Sequence, residues 1–148
     1  MTELFDFASV EATLGAINDH AVRSAMRNQL INDLFQMDVR RVGWRRLHAG
    51  DRIGPITLPH MLVIGAVLWN AEDRRFLKEA AGKWRGRTDI AVFDLDDVHS
   101  IDAFHAFMPN VPVVTQTPVI AEYVDGILTC TAAGPAAFEL LRTLTFLP

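Results

Sequence analysis

Cysteine is almost absent from this chain, which has one, Cys130, among its 148 residues. A single thiol excludes an internal disulfide and any zinc site built on clustered cysteines. We therefore expect the protein to be cytoplasmic, or to be part of a particle assembled in the cytoplasm. Cys130 falls in a strand-like run, where we expect it to be a small buried hydrophobe rather than a reactive thiol.

Long apolar runs and catalytic motifs are missing as well. The longest apolar run, residues 61–69, is far shorter than the roughly 18 residues that a membrane span needs. The first residues lack the basic segment of a signal peptide, so we expect neither export nor membrane association. No glycine-rich phosphate loop, paired-histidine metal motif or nucleophile elbow occurs, and the five histidines are scattered. We expect no metal, no cofactor and no enzymatic activity.

Positive charge is concentrated in two segments, although the net charge is −4. Five of the 14 basic residues lie in residues 40–52, and six more lie in residues 74–87. Arginine forks match phosphate oxygens and stack on bases, so one alternative function is a polyanion- or small-ligand-binding module using residues 40–52. The other interpretation is a solvated connector whose arginines pair with carboxylates. Nucleic acid is the less favoured partner because the whole chain is acidic. The residues concerned are Arg40, Arg41, Trp44, Arg45 and Arg46.

Negative charge collects where two predicted strands end. Because the carboxyl ends of parallel strands meet at one edge of a sheet, these acidic residues should lie together. Clustered carboxylates can hold a hard cation or act as acid and base, so an enzyme built on this cluster is a second alternative. The simpler interpretation is that they cap the helices that follow. The acidic residues are Glu72, Asp73, Asp94, Asp96 and Asp97, and Asn70 is expected at the same end of the sheet.

Residues 1–58 are predicted to form a helical N-terminal arm and a connector. Apolar residues recur at helical spacing between Ser9 and Met37, as one bent helix or as two with Asn18 and Asp19 capping the second. The apolar face either covers this domain or packs on a partner chain. Residues 38–59 fit neither the helical nor the strand period, and we expect a first edge strand within residues 39–47 or 53–58.

Residues 59–148 are predicted to form a domain of order β-α-β-α-β-β-α. Residues 61–68 are a continuous apolar run typical of a central strand, and a helix capped by Asn70 follows. Residues 89–98 should form a second, parallel strand, and a short helix should begin at Ser100 or Asp102. Residues 115–131 are predicted to be a hairpin turned by Asp125 and Gly126, before a last helix that opens at Gly134 and Pro135.

Four features in register carry a resemblance to a known family. They are Trp69 at the end of the central strand, Thr117-Pro118 before the hairpin, Asp125-Gly126 at its turn, and Gly134 beyond it. Together they resemble the thioredoxin fold family, in which a cis proline opens the third strand of the core. The resemblance covers residues 61–147 and implies an α/β, thioredoxin-like core with a helical N-terminal arm.

The redox residues of that family are replaced here. The position of the attacking cysteine is Asn70, that of the resolving cysteine is Asp73, and that of the buried acid in the strand is Ile64. The resemblance therefore implies a redox-inactive member that lacks the Cys-x-x-Cys motif. Thioredoxin-like chaperones of hydrogenase maturation are similar in having the fold without its cysteines.

We therefore expect a non-catalytic protein-binding subunit or an accessory chaperone of a larger assembly. Its partner would be another protein or identical subunits. The resemblance places the contact surface at the former redox site, and the helical arm with the arginine segment forms a second contact surface. The predicted contact residues are Trp69, Asn70, Asp73, Thr117 and Pro118, together with Trp44, Arg40, Arg41, Arg45 and Arg46.

Overall fold

The structure, a computed structural model, describes residues 4–48, 58–112 and 115–144, apart from the side chain of Ala8. Part of the predicted connector, including Arg52, lies outside these ranges. The described helices are α1 (Ala8–Thr13), α2 (His20–Val42), α3 (Ala71–Trp84), α4 (Ile101–Phe107) and α5 (Pro135–Thr143). The strands are β1 (Arg45–Arg46), β2 (His60–Ala66), β3 (Ile90–Asp94), β4 (Val119–Val124) and β5 (Ile127–Ala133).

One mixed sheet organises the fold. Its strand order is β1-β3-β2-β4-β5, with β3 parallel to both β1 and β2, and with β4 antiparallel to both β2 and β5. From β2 onward the element order is β-α-β-α-β-β-α, as the sequence predicted. The chain therefore has a thioredoxin-like α/β fold.

The arm consists of two helices, and the second is longer than the periodicity indicated. Asp19 caps α2 by accepting a hydrogen bond from the N–H of Val22 at 3.0 Å. The helix continues past Met37 to Val42 and ends at Gly43, which has a left-handed φ of 85°. The first edge strand, β1, follows within residues 39–47, one of the two predicted segments.

The apolar face of α2 packs on the sheet of its own chain. Ile31, Phe35, Val39 and Val42 are buried in one cluster with side chains of β2, β3 and α3. The apolar face of α2 therefore covers its own domain, which is the first of the two arrangements that the sequence allowed. The segment 1–58 thus supplies both a covering helix and an edge strand to the same sheet.

Two helices begin and end where turn chemistry predicted. The side chain of Asn70 accepts from the N–H of Glu72 at 2.8 Å and caps α3, and Gly86 (φ 83°) follows the end of that helix. Ser100 caps α4 through the N–H of Ala103. β3 is shorter than predicted, because Asp94 accepts from the N–H of Asp96 and starts a 3₁₀ turn over Leu95–Asp97.

The hairpin has the predicted turn. Asp125 and Gly126 join β4 to β5 with positive φ angles of 51° and 79°, and Asp-Gly is well suited to such a two-residue turn. Cys130 on β5 is half-buried rather than fully buried, which corrects the expectation for that residue. Among the described residues, no helix combines the length and the apolar character needed to cross a membrane.

Candidate functional site

Asn70 stands at the junction of β2 and α3, where the resemblance places an attacking cysteine. Its side chain is exposed, and its Oδ1 accepts from the N–H of Glu72 at 2.8 Å. An amide in this position satisfies one of the free N–H groups of the first helical turn. It has no nucleophilic sulfur to offer a disulfide.

Asp73 is fully buried, at 0% exposure. One carboxylate oxygen accepts from the N–H of Val67 at 2.7 Å, and the other accepts from Oγ1 of Thr117 at 3.2 Å. Burial raises the pKa of the Asp73 carboxyl, and these two hydrogen bonds oppose the rise. Asp73 therefore ties α3 to the end of β2 and to the loop before β4. Its prediction as a contact residue needs correction, because a partner cannot reach the side chain.

Thr117 and Pro118 lead into β4, and the peptide bond between them is cis. Pro118 is buried, which corrects its prediction as a contact residue, whereas Thr117 is half-buried. Thr117 lines two depressions, one on either side. The apolar groove has a volume of about 390 Å³ and is lined by Leu95, Val98, His99, Ser100, Ile101, Phe104 and Thr117. The charged groove has a volume of about 330 Å³ and is lined by Glu72, Arg75, Thr117, Gly134, Pro135, Phe138, Glu139 and Arg142.

Gly134 is needed for the close approach of α5 to this loop. A Cβ on Gly134 would lie 2.7 Å from Oε1 of Gln116, and its φ of 62° is also unfavourable for other residues. This close approach and the positive φ explain why a glycine occupies position 134, one of the features that carry the resemblance.

Trp69 is half-buried beneath the N-terminal arm. The guanidinium of Arg27 lies 3.8 Å from the centre of a Trp69 ring, and Nε of Arg27 lies 3.0 Å from Oε1 of Glu11. Such a stacked cation is stabilised by the ring quadrupole. The two predicted contact surfaces, the former redox site and the helical arm, therefore meet at Trp69.

An acidic cleft of about 260 Å³ separates α2 from the ends of the strands. Burial raises the pKa of Asp94 to about 6; Asp97 and Asp96 add to the rise, while the Asp96 N–H and Arg46 oppose it. In the described part of the chain, no group of histidine, cysteine, aspartate or glutamate side chains is arranged to hold a metal ion. The cleft is lined by Asn28, Ile31, Asn32, Trp69, Asp94, Asp96 and Asp97.

Two residues of the arginine segment, Trp44 and Arg46, have buried side chains that form contacts within the chain. The Arg46 side chain is 3% exposed, donates to Oδ1 of Asn32 at 2.6 Å and lies 3.8 Å from a carboxylate oxygen of Asp97. Trp44 is 6% exposed and donates from Nε1 to the carbonyl of Trp84 at 3.0 Å. Neither can grip an external ligand in this conformation, which corrects the prediction for both.

The other arginines of the segment that the structure describes lie on the surface. Arg40, Arg41 and Arg45 are exposed, and Arg41 lies 3.7 Å from Asp38. Asp38 is itself buried and accepts from the N–H of Phe5 at 2.9 Å. The described part of the segment therefore includes the end of α2 and the strand β1, and three of its cations are accessible.

A polar cluster at the opposite end of the sheet gave no signal in the sequence. His60 lies between Asp89, at 2.8 Å from Nδ1, and Glu122, at 2.9 Å from Nε2. Burial tends to raise the pKa of both carboxyls, but hydrogen bonds from Arg87 and His60 lower that of Asp89, and those from His60 and Thr129 lower that of Glu122. These residues are far apart in the chain, so only the strand register reveals them.

Cys130 contacts this polar cluster. Its Sγ donates to Oε1 of Glu122 over 3.6 Å, and burial together with that carboxylate raises the pKa of the thiol. A thiol is nucleophilic only as the thiolate, so Cys130 is a weak nucleophile at neutral pH.

No protein-family model matches this chain, and no curated protein matches it. Among solved structures, it is similar to a mutant thioredoxin from Halobacterium salinarum NRC-1. The two are 17% identical, the match covers 73% of this chain and 96% of that chain, and the TM-score is 0.47. The thioredoxin-like fold is assigned here from the sheet order and element order of the chain itself.

Proposed function

We propose that this chain is a redox-inactive thioredoxin-like protein that works by binding another protein. It would act in the cytoplasm, or in a particle assembled there, as a subunit or as an accessory chaperone of a larger assembly. The observation that carries the proposal is the state of the two redox positions. The Asn70 side chain is hydrogen-bonded as a helix cap, and the Asp73 carboxylate is buried with both oxygens bonded.

The contact surface proposed for the partner runs along Thr117. This residue lies where the apolar groove and the charged groove approach one another, and Asn70 and Ala71 are exposed at the start of α3. An extended polypeptide laid along these grooves would bury apolar surface on one side and meet charges on the other. Shape and charge, rather than covalent chemistry, would then supply the affinity.

The two alternative functions receive less support. Of the residues predicted for polyanion binding, Trp44 and Arg46 have buried side chains, and Arg40, Arg41 and Arg45 remain exposed. An enzyme using the acidic cleft would need a nucleophile, a metal or a general base, and the raised pKa of Asp94 alone identifies no reaction.

Capture from the native cell tests the binding surface. Ala71→Arg adds a bulky charge to an exposed position at the start of α3, while Thr88→Arg adds the same group at an exposed position before β3, at the other end of the sheet. We expect the tagged parent and Thr88→Arg to recover the same protein, and Ala71→Arg to lose it. Equal recovery by all three would contradict the proposed surface.

A thiol assay tests the absence of redox chemistry. We expect the purified chain to leave insulin disulfides intact in the presence of dithiothreitol, at the rate of the reductant alone, and Cys130→Ser to behave identically. Acceleration by the parent chain that Cys130→Ser abolishes would contradict the redox-inactive assignment.

A further inference from the structure

We infer that the polypeptide bound by this protein is a basic segment with an apolar anchor, seated across the 3₁₀ turn Leu95–Asp97. This inference rests on the proposed function: it keeps the apolar groove of the proposed contact surface, extends that surface to the acidic cleft, and names the class of partner. The turn separates two depressions of different character. Leu95 and Val98 line the apolar groove, whereas Asp94, Asp96 and Asp97 line the acidic cleft.

The apolar groove supplies the place for the anchor. It is lined by Leu95 and Val98 from the turn region, by Ile101 and Phe104 from α4, and by Thr117. Ile101 lines the groove and is 59% exposed, so a bound apolar side chain would remove part of its surface from water. A leucine or phenylalanine of a partner would cover Ile101 and occupy the groove.

The negative charge beside the groove favours a partner segment of positive charge. Three carboxylates line the acidic cleft, and among the described cations Arg46 is the one that approaches them, at 3.8 Å from Asp97. Arg46 is at the same time bonded to Asn32 and Gln36 of α2. Arg27, on the Trp69 side, is paired with Glu11. The cleft therefore keeps a surplus of negative charge, which favours a lysine or arginine on the partner and disfavours an acidic segment.

Trp69 indicates how such a cation can be received. The ring lines the cleft and already accepts the guanidinium of Arg27 at 3.8 Å. Because Arg27 already covers the ring, a planar cation from a partner would bind the aspartate oxygens of the cleft beside it. A segment with an apolar residue next to arginine or lysine would thus place one group on each side of the turn.

Selection from a phage-displayed library of random peptides tests this class of partner. We expect peptides enriched on the parent chain to carry an apolar residue flanked by arginine or lysine. Two variants change exposed positions: Ile101→Ser removes the apolar rim, and Asp96→Asn removes one charge. Their matched controls, Ile127→Ser and Asp125→Asn, change exposed residues at the far end of the hairpin.

The affinity of an enriched peptide, measured by fluorescence anisotropy, should separate these variants. We expect Ile101→Ser to weaken binding at least about fivefold through lost apolar burial. Asp96→Asn should weaken it about two- to fivefold and reduce its dependence on salt. The two controls should bind as the parent does. Enriched peptides without basic residues, or equal affinity for all variants, would overturn the inference.

The outcome is distinguishable from a failure of the proposed function. If the native partner is still recovered by the parent but is held equally well by Ile101→Ser and Asp96→Asn, the binding function stands and this inference is overturned. If the parent recovers no recurrent protein from its native cell, the proposed function itself fails.

Discussion

Two carboxyl groups near the ends of β2 and β3 differ in their burial and hydrogen bonding. Asp73 is buried and both of its oxygens are hydrogen-bonded. Asp94 is partly buried and crowded by Asp96 and Asp97, and burial raises its pKa to about 6. Asp73 therefore stabilises the fold through its hydrogen bonds, whereas the ionised form of Asp94 is unfavourable in the folded protein.

Asp94→Asn should change how stability depends on pH. Because the pKa of Asp94 is raised in the folded state from 3.8 to about 6, its stabilising effect is complete below its ordinary pKa and is lost as pH rises through about 6. Asparagine removes this loss and keeps an oxygen for the Asp96 N–H. We expect the variant to be more stable than the parent at pH 7.5 by about 1 kcal/mol, and the difference to shrink towards pH 4.

Urea unfolding of both proteins at several pH values measures this difference. Asp125→Asn, an exposed change in the hairpin turn, serves as the control and should follow the parent at every pH. A constant difference between Asp94→Asn and the parent from pH 4 to 7.5 would contradict the assignment.

Asp73→Ala should lower the free energy of unfolding, although Asp73 is a polar residue. The substitution leaves the N–H of Val67 and the hydroxyl of Thr117 without their acceptor. An unsatisfied buried group costs about 1–3 kcal/mol, and we expect a loss of that size in the free energy of unfolding. Glu72→Ala, at the exposed neighbouring position, should cost about 0.5 kcal/mol or less. Equal losses in the two variants would show that Asp73 has no structural role.

The sequence predicted the location of Asp73 but not its role. Its spacing from Asn70 placed it in the first turn of α3, because capping chemistry is local. Its burial depends on Thr117, which is 44 residues away, and on the N–H of Val67 at the end of β2. Such long-range contacts leave no trace in local spacing, and the same is true of His60 with Asp89 and Glu122.

At the scale of elements, α2 is the part of the fold that distinguishes this chain from a bare thioredoxin-like core. Its buried side packs on β2, β3 and α3, and Arg46 lies over Phe35 with 4.8 Å from guanidinium carbon to ring centre. The helix is therefore a structural component of one chain. It also brings Arg27 to Trp69, and its residues Asn28, Ile31 and Asn32 form one wall of the acidic cleft.

Phe35→Ala tests this role of α2. Phe35 is fully buried, so we expect the free energy of unfolding of the purified chain to fall by about 3–5 kcal/mol. Met26→Ala, an exposed position on the same helix, should change it by about 0.5 kcal/mol or less. Thermal or urea unfolding measures both. A loss for Phe35→Ala as small as that for Met26→Ala would mean that the packing of α2 on the core of its own chain contributes little to stability.

The elements that the sequence predicted well have local determinants. The Asp125-Gly126 turn, the caps at Asp19, Asn70 and Ser100, and the continuous apolar run of β2 each carry their own signal. Residues 38–47 were ambiguous because α2 ends there and a two-residue strand follows at once. Val39 and Val42 continue the buried helix face, but the arginine pair between them obscures the period.

At the scale of the whole molecule, the fold makes a geometric prediction about the former redox positions. Asn70 and Asp73 lie three residues apart across the first turn of α3, where side chains approach to about 5–6 Å. This separation is compatible with a disulfide. With Cys130→Ser as background, we expect Asn70→Cys combined with Asp73→Cys to form one under mild oxidation.

Thiol counting and intact mass measure disulfide formation. The single variants Asn70→Cys and Asp73→Cys are the controls and should each keep one free thiol. A folded double variant that keeps both thiols free in oxidised glutathione would count against the thioredoxin-like geometry of this turn.

The most direct test of the central claim, that this protein works by binding another protein, is a comparison of two masses. One is the mass of the species recovered through a tagged chain from its native cell under native conditions, and the other is that of the purified chain alone. We predict that the native species is larger and defined, and that it contains one recurrent second protein. A single chain by itself in both measurements would contradict the account.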